Sequence, residues 1–124
     1  MNNDCLFCKI ASGDIPSYKI YEDEVVIAFL DINPDSNGHT LIIPKEHYLD
    51  LNDIEVDTLT RILKTAKDLK IKLESKLNCD GLTLIQNNGD IQEVKHFHLH
   101  LKPYYKDNNI KDIKEIYEIL KDSD

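Results

Sequence analysis

The run His96-Phe97-His98-Leu99-His100-Leu101 constrains this chain more than any other segment. Titratable and apolar side chains alternate there, and a period of two marks an extended strand with one buried face. Residues i, i+2 and i+4 of a strand share a face, so His96, His98 and His100 are expected to project together. Phe97, Leu99 and Leu101 then enter a core on the other side. The strand is expected over residues 94–101, with Pro103 stopping it. Three imidazoles crowded on one face suit chemistry better than solvation. The residues alone leave two chemistries open: a metal site, or nucleophilic and acid–base work by an imidazole that titrates near neutrality.

Four further strands are expected, over residues 18–21, 25–30, 39–43 and 81–86. Asp23 lies in the first turn, and Asn33-Pro34-Asp35-Ser36-Asn37-Gly38 is a dense turn cluster. Asn52-Asp53-Ile54-Glu55 resembles a capping box with Asn52 as N-cap. Val56, Leu59, Ile62, Leu63, Ala66, Leu69, Leu73 and Leu77 then recur at spacings of three and four, as in an amphipathic helix. Asn109 is expected to cap a short final helix with Ile110, Ile113, Ile116, Tyr117 and Leu120 facing inward. Grouped strands rather than strict strand–helix alternation point to the α+β class. The expectation is one domain over residues 1–124: a five-stranded antiparallel sheet, one long helix and a short C-terminal helix.

Composition narrows the partners. The formal net charge is −8, from 23 acidic and 15 basic residues. That argues against a nucleic-acid backbone, which demands clustered Lys and Arg. No apolar run approaches the roughly 20 residues of a membrane span. The polar start, Met1 to Asp4, does not read as a signal peptide, so a cytoplasmic location is expected. Three cysteines, an odd count, speak against a disulfide framework. Cys79 reads as structural. Cys5 and Cys8 form a C-x-x-C pair open to three readings: a redox pair, two free thiols, or half of a zinc site.

The segment His96-Phe97-His98-Leu99-His100-Leu101 resembles the His-φ-His-φ-His-φ-φ motif of the histidine triad (HIT) superfamily of nucleotide hydrolases and transferases, φ being apolar. Four other segments agree in order: Cys5 to Ile10, Ala28 to Ile32, Gly38 to His47, and Asn87-Asn88-Gly89. The resemblance covers roughly residues 4 to 104 and implies the HIT-like α+β meander, usually a homodimer whose sheets join. It implies hydrolysis at the α-phosphate of nucleoside phosphoramidates or dinucleoside polyphosphates through a nucleotidyl-histidine, with a purine-type nucleotide as small-molecule substrate. Carried over by position, His98 is the nucleophile, His100 contacts the phosphate, and His39 supports the site. Asn87 bonds phosphate oxygen, Asp31 holds the ribose hydroxyls, and Leu6, Phe7, Phe29 and Ile32 line the base pocket. Zinc-bearing bacterial members pair the two cysteines with two histidines, which implies a structural zinc on Cys5, Cys8, His47 and His96.

Three features depart from the family pattern. Lys102 stands at the last apolar position of the motif. The loop between Gly89 and the triad is about two residues short and carries Glu93 where a small hydroxyl residue often sits. Tyr104 follows Pro103 where an arginine often does. Two alternatives accompany the hydrolase reading: a non-catalytic nucleotide- or partner-binding protein, and a metallohydrolase with zinc on His96, His98 and His100.

Overall fold

A computed structural model describes residues 4–121. In chain order the elements are α1 (Leu6–Ser12), β1 (Lys19–Glu22), β2 (Val26–Leu30), β3 (Thr40–Pro44), α2 (Val56–Leu77), β4 (Gly81–Ile85), a 3-10 turn at Gly89–Ile91, β5 (Leu99–Tyr104) and α3 (Ile113–Lys121). The strands form one antiparallel sheet in the order β1-β2-β3-β5-β4. The expected α+β architecture is therefore present, with one helix more than foreseen. The signal-peptide reading rests mostly on residues 1–3, which lie outside the described residues. Among the described residues, no helix is long and apolar enough to cross a membrane.

β2 and β3 are buried along their whole length, because both faces of the sheet are covered. Alternate residues serve opposite cores. Val26, Ala28, Leu30, Ile42, Leu99 and Leu101 pack with Ile62, Ala66, Leu69 and Leu73 of α2 and with Ile116 and Leu120 of α3. Ile27, Phe29, Leu41 and Ile43 turn the other way, against Phe7 and Ile10 of α1 and the two thiols. Burial on both faces explains why these strands read as unbroken apolar runs.

Four expectations need correction. The long helix starts at Val56, not after Asn52. Asp50 forms an Asx turn there, its carboxylate accepting from the N–H groups of Asn52 and Asp53, and Glu55 at the N-cap makes no side-chain bond. The last helix starts at Ile113 with Asp112 accepting from the Lys114 N–H, while Ile110 is half exposed rather than inward. The triad strand begins at Leu99, not residue 94. Before it the backbone bends, with His96 N–H donating to the Val94 carbonyl and Phe97 N–H to the Tyr48 carbonyl. Finally, Pro103 lies inside β5, where the β3 partner has already ended and only β4 remains.

α1 went unforeseen. Its N-cap is Cys5, whose sulfur accepts from the Cys8 N–H, so no Ser, Thr, Asp or Asn announces the start. Gly13, in the left-handed region at φ 88°, closes it. Gly38 is a second glycine the backbone requires. Its φ is 89°, and a Cβ there would sit 2.5 Å from Leu77 Cδ1. It delivers the chain into His39 and β3.

Candidate active site and metal centre

The histidines fall into two groups rather than one row. The bend before Leu99 turns His96 away from its neighbours. It is fully buried against His47 and the thiols, with ring centres of His47 and His96 4.9 Å apart. His98 and His100 keep the expected common side, 5.0 Å apart. The expectation that three imidazoles share one pocket is thus corrected to two.

Those two line a cavity of about 250 Å³. Its walls include five residues expected there: Leu6, Phe7, Phe29, Asp31 and Ile32. Phe7 meets the His98 ring edge-to-face at 5.1 Å and Phe29 at 5.6 Å. Ile10, Ile15, Pro16, Leu30, Leu41 and Val94 complete the apolar wall and were missed, since nothing in the sequence separates them from ordinary core. Glu93 lies on the rim. Asn87 is not in the lining, and its described bond is a backbone one, its carbonyl accepting from the Gln86 amide.

Backbone groups set the ring tautomers. His98 Nδ1–H donates to the His96 carbonyl at 2.8 Å, which leaves Nε2 with a free lone pair. The Asp35 N–H donates to His39 Nδ1 at 3.1 Å, so the proton of neutral His39 sits on Nε2. That proton is donated to His100 Nδ1 at 2.9 Å, and His100 in turn carries its hydrogen on Nε2. The site therefore offers one imidazole lone pair and one imidazole N–H side by side. Burial disfavours the charged form of each ring: His39 and His98 are shifted down, and His100 falls to about 4, helped by the charges of His98 and His39. Asp31 accepts from the Asn33 N–H through one oxygen and places the other 3.7 Å from His39 Nε2.

The second group is Cys5, Cys8, His47 and His96, whose ligand atoms all lie within 4.8 Å of one another. Cys5 Sγ is 3.3 Å from His96 Nδ1, Cys8 Sγ is 3.3 Å from His47 Nδ1, and Cys8 Sγ is 3.5 Å from His96 Nδ1. Zn–S and Zn–N bonds of about 2.3 and 2.0 Å at tetrahedral angles give S···N edges of about 3.5 Å, so the donor set fits zinc. His96 Nε2–H donates to the Pro44 carbonyl at 2.8 Å, fixing Nδ1 as the free donor, and the Cys8 N–H supports Cys5 Sγ. Among the described residues the other group able to hold an ion is Asp31, His39 and His100. Neither group joins His96, His98 and His100, which is the set a triad zinc needs.

The HIT domain family matches residues 12–107 of the chain. The chain belongs to the HIT family. An uncharacterized HIT-like protein of Methanocaldococcus jannaschii is 45% identical to this HIT protein over 104 residues, 82% of this chain and 80% of the relative. An adenosine 5'-monophosphoramidase of Saccharomyces cerevisiae is 46% identical over 101 residues, 80% of this chain and 61% of the yeast protein. A Zn-bound histidine triad family protein from Mycobacterium smegmatis superposes with a TM-score of 0.88 at 35% identity, covering 95% of this HIT protein and 91% of its own chain.

Proposed function

We propose that this HIT protein hydrolyses nucleotides at the α-phosphate, cleaving nucleoside phosphoramidates or dinucleoside polyphosphates and releasing a nucleoside monophosphate. The observation that carries the reading is His98: its Nδ1–H is tied to the His96 carbonyl, so the unprotonated Nε2 belongs to a ring that lines the cavity. Relatedness to a yeast adenosine 5'-monophosphoramidase supports it. A purine-type base packs between Phe29, Phe7, Leu6 and Ile32, and Asp31 receives the ribose hydroxyls. His98 Nε2 attacks phosphorus in line as the bond to the leaving group breaks, forming a nucleotidyl-histidine. The charge this places on the ring is stabilised by the His96 carbonyl. His100, oriented by His39, donates its Nε2–H to the phosphate, and Asn87 approaches it when substrate is bound. Such donors contribute a few kcal/mol each to transition-state stabilisation. As the bond to the leaving group breaks, that group takes the His100 Nε2 proton; water then attacks phosphorus and releases His98, its hydroxyl ending on the nucleotide and its proton restoring His100.

Cys5, Cys8, His47 and His96 would hold a structural zinc, whose chemistry is a rigid crosslink between α1 and the segment before β5. A homodimer in the cytoplasm belongs to the same reading, and β4, paired only with β5, offers the edge for joining two sheets. The test is to mix the protein with adenosine phosphoramidate labelled at phosphorus and quench in denaturant within milliseconds. Label on His98 is expected. Turnover with no covalent label, undiminished in His98→Asn, would sink the reading.

A further inference from the structure

Outside the nucleoside cavity, a second cavity of about 240 Å³ lies along β5 and the loop before His39. Asp35, Ser36, Thr83, Lys102, Tyr104 and Asn108 are among its walls. Three observations single it out. Ser36, which also walls a smaller cavity against α3, is 5% exposed, and its hydroxyl, shielded from solvent, is the one buried side-chain oxygen or nitrogen without a partner among the described residues. A buried polar group left unsatisfied is costly and calls for an explanation. Lys102, where the family motif has an apolar residue, sends its ammonium into this cavity's wall, 2.7 Å from the Asp35 carboxylate. That carboxylate is 65% exposed, so its hold on the lysine competes with water.

The cavity also adjoins the chemistry. Lys102 follows His100 by two residues on the same side of β5, about 6.6 Å along the strand. Burial is the main reason His39 and His100 resist protonation, and the Lys102 ammonium adds to it at both rings. By contrast, the charged side chains lining the nucleoside cavity, histidines apart, are Asp31 and Glu93, both acidic. A substrate carrying negative charge beyond the reacting phosphorus finds no cation on the nucleoside side. It finds one past His100.

We propose that Lys102 and Ser36 form a leaving-group subsite that takes an anionic tail, a carboxylate or a distal phosphate, on the far side of His100 from the nucleoside. The inference rests on the nucleophilic reading of His98, since that fixes which end of the substrate departs. The tail displaces the Asp35 carboxylate from Lys102, and rotation about the Ser36 Cα–Cβ bond offers it a hydroxyl that is shielded and unpartnered without it. Thr83 and Asn108 stand beside them.

Binding of AMP and of ADP, measured by calorimetry, tests the subsite without turnover. Wild-type protein is expected to favour ADP. Lys102→Met should reduce the ADP-to-AMP preference about tenfold, the loss of one charged hydrogen bond. Ser36→Ala should reduce it by a smaller factor, and Asp35→Asn, which frees the lysine, should increase it. Equal preference in wild type and Lys102→Met, or a fall in Asp35→Asn, overturns the subsite. Ratios of kcat/KM then separate the two tails: β-alanine against ethylamine as leaving amine reports a carboxylate, and diadenosine tetraphosphate against the ethylamine compound reports a phosphate. A ratio unchanged by Lys102→Met for both tails also overturns the proposal. ADP preference lost as expected, in a protein that turns over none of these compounds, supports the subsite and refutes the catalytic reading.

Discussion

His96 and His98 are two residues apart, both buried, and use opposite nitrogens. His96 gives its Nε2–H to the Pro44 carbonyl and turns Nδ1 toward two sulfurs. His98 gives its Nδ1–H to the His96 carbonyl, which frees Nε2 on a ring that lines the cavity. One residue type is thus presented in two ways, with Nδ1 free in one ring and Nε2 free in the other, by the choice of backbone acceptor. The cluster around His96 is closed and wrapped in apolar side chains, as a structural site needs to be. The group around His98 opens onto a cavity and keeps an unused lone pair, as a reactive one needs to be.

The contrast can be broken from either end. The largest effect is expected on the reactive side: His98→Asn keeps a donor for the His96 carbonyl but has no imidazole nitrogen, and kcat/KM should fall by roughly four orders of magnitude, about 5.5 kcal/mol. Its melting temperature should stay near that of wild type. On the closed side, Cys5→Ser with Cys8→Ser should take bound zinc from one equivalent to none by elemental analysis and cost about 3 kcal/mol, roughly 10 °C in calorimetric melting. A native protein free of zinc would erase the distinction between the groups. Asp31→Ala should weaken nucleotide binding about tenfold while kcat changes less, measured by calorimetry and initial rates. An unchanged Kd would move the ribose elsewhere.

The smallest effect is a pH dependence. Burial, followed by the charges of His98, His39 and Lys102, lowers His100 to about 4 from an ordinary value near 6.5. Between those values the unfolded chain binds the proton more readily, so the folded state loses stability as pH drops from about 6.5 to 4 and holds it fully above. Unfolding free energies from urea titrations at pH 7 and pH 5 should therefore differ less in His100→Asn than in wild type, by on the order of 1 kcal/mol. Equal differences would mean that the ring titrates normally.

Much of this was legible in residue order. Apolar runs of strand length bounded by turn residues, the alternation of the histidine strand and a period-3.6 pattern located all five strands and the long helix, because burial of both faces, one face or one stripe leaves those signatures in the chain. What escaped were features set by contacts distant in sequence. The bend that rotates His96 out of the triad row depends on Tyr48 accepting from Phe97 and on the thiols of α1, and local alternation carries no trace of either. Cys5 capping α1 and Asp112 replacing Asn109 are choices among residues with similar local chemistry. Of the residues carried over by family resemblance, Leu6, Phe7, Phe29, Asp31, Ile32, His98 and His100 line the cavity, whereas His39 stands behind His100 and Asn87 sits after β4, both off the lining.

Gly38 has a bearing on how this chain can diversify. Two independent obstacles close that position, a backbone dihedral near +90° and a methyl of Leu77 standing where a β-carbon would go. Trimming Leu77 removes only the second. Shortening Leu77 is therefore expected to cost core packing without making Gly38 replaceable, because the dihedral remains and Leu73 Cδ2 would still stand 3.2 Å from the new carbon.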